Sequence, residues 1–139
     1  METKLEVCID NLAGLEACIK GNADRIELCS SLIHGGLTPE TDLMSHASNA
    51  AIPVRMMVRP KNGNFHYSFR DLRQMKNDID MARSFGFEGV VFGATLVNGS
   101  IDITFLEDLV KHSSCSSLHG NSPFTDANKI ISIKNEINY

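Results

Sequence analysis

The chain has 139 residues, 42% of them hydrophobic, a size that supports one domain burying roughly two thirds of its unfolded surface. A formal net charge of -4, with no basic stripe among its 22% charged residues, argues against nucleic acid and anionic membrane as partners. No charged-then-apolar leader opens the sequence and no run approaches the roughly 18 apolar residues of a membrane helix, so a cytoplasmic protein that neither enters nor crosses a membrane is expected.

From the N-terminus, Lys4 to Asp10 alternates, with Leu5, Val7 and Ile9 on one side and Glu6, Cys8 and Asp10 on the other, which is the period of a strand. Asn11 then caps a helix carrying Leu12, Leu15, Cys18 and Ile19, and Gly21 with Asn22 supplies its stop. The unit repeats: Asp24 to Ser30 sets Ile26 and Leu28 against Arg25, Glu27 and Cys29, and after Gly35 and Gly36 a second helix is expected to open at Thr38 and Pro39.

Ile52 to Pro60 reads as a third strand, with Val54, Met56 and Val58 alternating against Arg55, Met57 and Arg59. Past the loop Lys61 to Tyr67, Ser68 and Asp71 form a capping-box start to a helix bearing Leu72, Met75, Ile79, Ala82 and Phe85, ended by Gly86. Gly89 to Leu96 is a short apolar fourth strand, and Asp102 caps a fourth helix with Ile103, Leu106, Leu109 and Val110. From Ser113 the sequence turns Ser-rich and loses its periodicity, so 113–139 is expected to be loop or disorder.

Strands alternating with helices of this length imply right-handed crossovers and a parallel α/β sheet. An open doubly wound sheet is covered on both faces, and its strands tend to be apolar on both. Strands one to three carry charge on one face, which suits the interior of a (β/α) barrel. Four βα units make half of an eight-stranded, TIM-barrel-like fold, covering 1–112.

Several strings are then recognisable in order. They are Leu-Glu-Val-Cys-Ile-Asp at 5–10, Ala-Asp-Arg-Ile-Glu-Leu-Cys-Ser at 23–30, Gly-Gly-Leu-Thr-Pro at 35–39, Ile-Pro-Val at 52–54 with Val-Arg-Pro at 58–60, Lys-Asn-Gly-Asn-Phe-His-Tyr-Ser at 61–68, and Gly-Val-Val-Phe-Gly at 89–93. Together they resemble the CutC copper homeostasis family over about residues 4–112. The resemblance implies a TIM-barrel-like fold, a cytosolic place, a role in copper handling, and a Cu(I) site whose two cysteines match Cys8 and Cys29. The chain departs from the family at Asn62-Gly63-Asn64, where two glycines are usual, and at its end. There the family's next strand, with a Phe-His-Arg signature, is missing after Lys111, and the tail resembles out-of-frame translation.

The chemistry of the residues can be read beside that resemblance. Four cysteines, Cys8, Cys18, Cys29 and Cys115, are too few and too embedded in apolar patterns for a disulfide framework, and none has C-x-x-C spacing. Soft-metal binding therefore has to come from folding. Alternation places Cys8 and Cys29 at corresponding positions on the inner faces of neighbouring strands about 4.8 Å apart, and two such thiolates suffice for Cu(I), which selects sulfur. The bland alternative is two reduced core cysteines.

Glu6, Asp10, Arg25, Glu27, Arg55 and Arg59 make a charged interior expected to pair across strands. Its functional alternative is an enzyme acting on a small anionic metabolite. In that reading Arg59 and Glu27 are the catalytic candidates, Glu27 as acid or base, and Arg25, Arg59 and His66 bind substrate. His34, His66 and Tyr67 fall in loops on the side where barrel chemistry gathers. His46 and Cys18 are expected to be surface or packing residues, and Cys115 with His112 and His119 a chelating set without rigid geometry.

A lone half barrel would leave its first and last strand edges unpaired. The expected outcomes are pairing into a homodimer or higher oligomer, or an inactive truncated product.

Overall fold

The computed structural model describes residues 3–114. The loop or disorder expected of the tail lies, from residue 115 on, outside the described residues. Four strands, β1 (Glu6–Ile9), β2 (Arg25–Leu28), β3 (Val54–Met57) and β4 (Gly89–Val91), form one parallel sheet in sequence order. They alternate with α1 (Leu12–Lys20), α2 (Thr41–Ser48), α3 (Phe69–Ser84) and α4 (Ile103–Ser114).

Local chemistry accounts for most helix boundaries. Asn11 caps α1, its side chain accepting from Gly14 N at 2.8 Å, and Asn22 just beyond turns left-handed at φ 53°. In α3 the capping box forms as its sequence dictates: Asp71 N donates to Ser68 Oγ at 3.2 Å while Ser68 N donates to Asp71 Oδ2 at 2.8 Å. Asp102 caps α4 by accepting from Phe105 N at 3.1 Å.

The second helix corrects the expectation, beginning at Thr41 and not at Thr38. A 3-10 turn at Leu32–His34 precedes it, and Thr38 is held in extended chain by bonds to Arg59. That cross-strand pairing outweighs the helix-opening tendency of a Thr-Pro pair.

The period of two then sorts the strands onto two faces. Ile9, Ile26, Leu28, Val54, Met56, Val58, Val90 and Phe92 share one core with buried residues of all four helices, including Leu15, Met44, Ile79 and Leu109. The opposite face carries Glu6, Cys8, Arg25, Glu27, Cys29, Arg55, Met57 and Arg59, with a small separate cluster of Cys29, Met57 and Val91. Among the described residues the helices thus pack on one face alone. This is the layering of a TIM-barrel-like fold, here four βα units of it, and not of a doubly wound sheet.

Candidate metal centre

The helix-free face is ordered in levels by the strand register. Glu6 lies beside Arg25, and one two-residue step along, Cys8 lies beside Glu27. Glu27 in turn faces Arg55, and Arg55 faces Gly89. One step further, beyond the pair Leu28 and Met56, Cys29 and Met57 stand side by side.

The lower levels hold charge that is paired, as expected of a buried ionic face. Arg25 Nε bonds Glu6 Oε2, while Arg55, 3% exposed, reaches Glu6 at 3.7 Å and Glu88 at 3.4 Å. An arginine this buried needs such partners to offset its desolvation. Glu27, also 3% exposed, sits in the middle level and not at a strand end.

Arg59 closes the upper end of β3. Its Nη1 donates to the carbonyls of His34 at 2.7 Å and Gly36 at 3.0 Å, its Nη2 donates to Gly63 O at 2.8 Å, and the guanidinium lies 4.5 Å from the Phe65 ring centroid. The planar fork thereby ties the loop after β2 to the loop after β3. Two buried polar atoms here, Arg59 Nε and Tyr67 Oη, lack a partner at full hydrogen-bonding geometry among the described residues, while the adjoining Arg59 side chain still acts on the phenol through a weak hydrogen bond as well as by its charge. Burial pushes the Tyr67 phenol up to about 12, against the pull of the neighbouring Arg59 charge.

These placements separate the residues that the sequence grouped as one substrate site. Arg25 is level with the residue before Val54, so Arg59 lies roughly 20 Å further along the strand direction, and Glu27 stands about 13 Å below Arg59, at ~3.3 Å per residue. His66 is exposed, with Nδ1 3.3 Å from Thr95 O. Alternation names a face but not the distance along it, so the sequence alone did not show this spread.

Among the remaining candidates, His34 is exposed in the 3-10 turn and serves Arg59 through its carbonyl. The amides of Gly35 and Gly36 donate to Leu32 O and Ser31 O, closing that turn. Cys18 packs in the core, where burial raises its thiol pKa. His46 bonds back onto Asp42 O at 2.8 Å, and His112 contacts Asp80 at 3.0 Å. Cys115 and His119 lie outside the described residues.

The cysteine geometry also needs one correction. Cys8 and Cys29 do share a face of adjacent strands, but Cys8 stands opposite Glu27, leaving Cys29 two residues further on. The Cα atoms are therefore roughly 8 Å apart on the diagonal and not directly opposed. The register is set on the other face, where Val7 pairs with Ile26 and Ile9 with Leu28 to meet the helices. Cys8 is exposed and Cys29 buried, and neither forms a disulfide.

Among the described residues no three His, Cys, Asp or Glu side chains gather as a metal cage. Beside the carboxylates of Glu6 and Glu27, this face carries three soft donors, Cys8, Cys29 and Met57; alternation put Met57 on the face, and only the β2–β3 register sets it next to Cys29. Such a set fits Cu(I), which accepts few ligands and prefers sulfur. Gly36 arches over it at φ 92°, and a Cβ there would meet Cys29 Sγ and Met57 Cε, each at 3.4 Å.

Comparison with known proteins agrees with this fold. A family model described as the CutC family matches residues 3–122. A CutC family protein of Agrobacterium fabrum is 48% identical over 109 residues, covering 78% of this chain and 43% of the relative. One from Aliivibrio fischeri is 46% identical over 119 residues, covering 85% of this chain and 48% of the relative. The crystal structure of a CutC protein from Streptococcus agalactiae, named as a candidate copper homeostasis protein, superposes with a TM-score of 0.72 at 33% identity, covering 79% of this chain and 55% of that one. The chain spans about half the length of the curated relatives it matches, between 43% and 48% for those named here.

Proposed function

The chain belongs to the CutC family, and on that premise we propose that it binds Cu(I) in the cytosol, with Cys8 and Cys29 as thiolate ligands, as part of copper homeostasis. The observation that carries this reading is the sharing of one face by two cysteines on adjacent parallel strands, one exposed and one buried. Cu(I) tolerates two-coordination by sulfur, and both cysteine side chains would lean along the strand toward one ion to span the two-residue offset. The exposed Cys8 gives an incoming ion its first contact, and the buried Cys29 retains it.

Anaerobic Cu(I) titration against a competing chelator, with light scattering to follow oligomeric state, tests the reading. One tight site per folded chain, lost when Cys8 and Cys29 are both replaced by Ser, is the expected result. Equal affinity in the double variant would overturn the assignment. Aggregation with only weak, nonspecific uptake would favour a fragment without activity of its own.

A second reading, a site for a small anionic metabolite, draws support from the buried Arg59 Nε and Tyr67 Oη. Both lack a partner at full hydrogen-bonding geometry among the described residues, and they lie at the strand end where barrel ligands gather. Both are donors when Tyr67 is neutral, so a carboxylate or phosphate oxygen suits them. Thermal-shift screening with phosphorylated and carboxylated metabolites, on the parent and on Tyr67→Phe, tests it. Stabilisation by such an anion that Tyr67→Phe abolishes is the expected outcome; a screen in which none stabilises the parent sinks the idea.

A further inference from the structure

We propose that Met57 is a third Cu(I) ligand, its thioether joining the thiolates of Cys29 and Cys8; this rests on the Cu(I) reading above and names the donor that completes the site. Three observations lead there. Extending the β2–β3 register by one residue places Met57 beside Cys29, at the spacing of neighbouring strands and on the same face. Together with Val91, the two form a buried cluster separate from the main core, so Met57 does not belong to the packing that holds the helices. The loop backbone at Gly36, held at φ 92°, presents its hydrogen and not a side chain to Cys29 Sγ and Met57 Cε.

The chemistry of burial favours a thioether at this place. Cys29 is 1% exposed and Met57 4% exposed. A third thiolate would add a second uncompensated negative charge to a buried Cu(I) site, whereas a thioether donates a lone pair and adds none. Methionine sulfur is also polarizable and its side chain adaptable, so it can turn toward an ion without moving the strand. Met56, one residue earlier, points into the helix-packed core and is fully buried there, which makes it an internal control on the same strand.

The test is Se K-edge X-ray absorption on the Cu(I)-loaded, selenomethionine-substituted chain, combined with chelator competition on Met57→Leu and Met56→Leu. Leu conserves volume while removing the donor. The expected result is a copper scatterer at selenium that disappears in Met57→Leu, with Cu(I) affinity falling about tenfold or more in that variant and unchanged in Met56→Leu. Copper bound through Cys8 and Cys29 without a selenium–copper scatterer overturns the proposal while leaving the two-cysteine site intact. A parent chain that takes up no Cu(I) overturns both. Should Met57→Leu fail to fold, Met57→Ile takes its place, and a selenium–copper scatterer that survives in it overturns the proposal, because the chain's other methionines would then account for the signal.

Discussion

Thr38 and Arg59 hydrogen-bond to each other twice: Arg59 N donates to Thr38 Oγ1 at 3.0 Å, and Thr38 N donates to the Arg59 carbonyl at 3.0 Å. The same hydroxyl donates to Asp78 Oδ2 on α3 at 3.1 Å. One side chain thus joins the segment before α2, the end of β3 and α3, just below the loops that roof the sulfur cluster.

Replacing Thr38 by Val keeps its shape and removes the hydroxyl, leaving the Arg59 amide and one Asp78 oxygen without their partner. A loss of about 1–3 kcal/mol is expected, read from urea unfolding midpoints at unchanged slope. Thr38→Ser retains the hydroxyl and should stay much closer to the parent. A Val variant that keeps the parent's midpoint would show that the hydroxyl's bonds contribute nothing.

Arg59→Lys tests the guanidinium fork. An ammonium on a flexible stem cannot reach the carbonyls of His34, Gly36 and Gly63 together, so the conservative substitution should destabilise by about 2–4 kcal/mol despite its retained charge. Hydrogen exchange at the loops around Gly36 and Gly63 should rise more than exchange in α1. A uniform rise across the chain would contradict the local role.

Asp78 gives a pH signature. It is buried on α3, and burial raises its pKa above 3.8 against the lowering effect of its bonds from Gln74 and Thr38. A carboxyl whose folded pKa is raised holds its proton longer in the native state, so stability declines as pH climbs from about 3.8 through the raised value and stays lower above it. Asp78→Asn has no such proton to lose. Its stability relative to the parent should improve across that window, and urea midpoints taken at several pH values would show a flat difference if Asp78 titrated normally.

Asp71 has the opposite sign. The Lys61 ammonium, 2.7 Å away, and the Ser68 amide hold its carboxyl below the usual value of 3.8. Its contribution is present above that value and is lost as pH falls through the lower folded pKa. Asp71→Asn should flatten the acid limb of the stability profile, and Ser68→Ala, which removes the other half of the capping box, should cost about 1 kcal/mol at neutral pH. Acid unfolding identical to the parent in Asp71→Asn would rule out the ionic cap.

Much of the architecture was legible in the chain. The alternation in 4–10, 24–30 and 52–60 fixed which residues share a face, because successive side chains on a strand point to opposite sides whatever the tertiary context. Asn11, the Ser68–Asp71 pair and Asp102 marked helix starts through side-chain oxygens that meet free backbone amides nearby. The ordered strings along the first 112 residues pointed to the family that the comparisons then supplied.

What lay beyond the sequence was distance along the strands and between loops. Cys8 came to rest opposite Glu27 and not Cys29, and Arg25 far from Arg59, because strand register follows how the apolar face meets four helices at once. Thr38 left its predicted helix because a partner at Arg59, 21 residues away, offered it two bonds. Side-chain direction is a local property of the backbone and can be read one strand at a time; register and loop closure belong to pairs of segments and are set only when those segments pack.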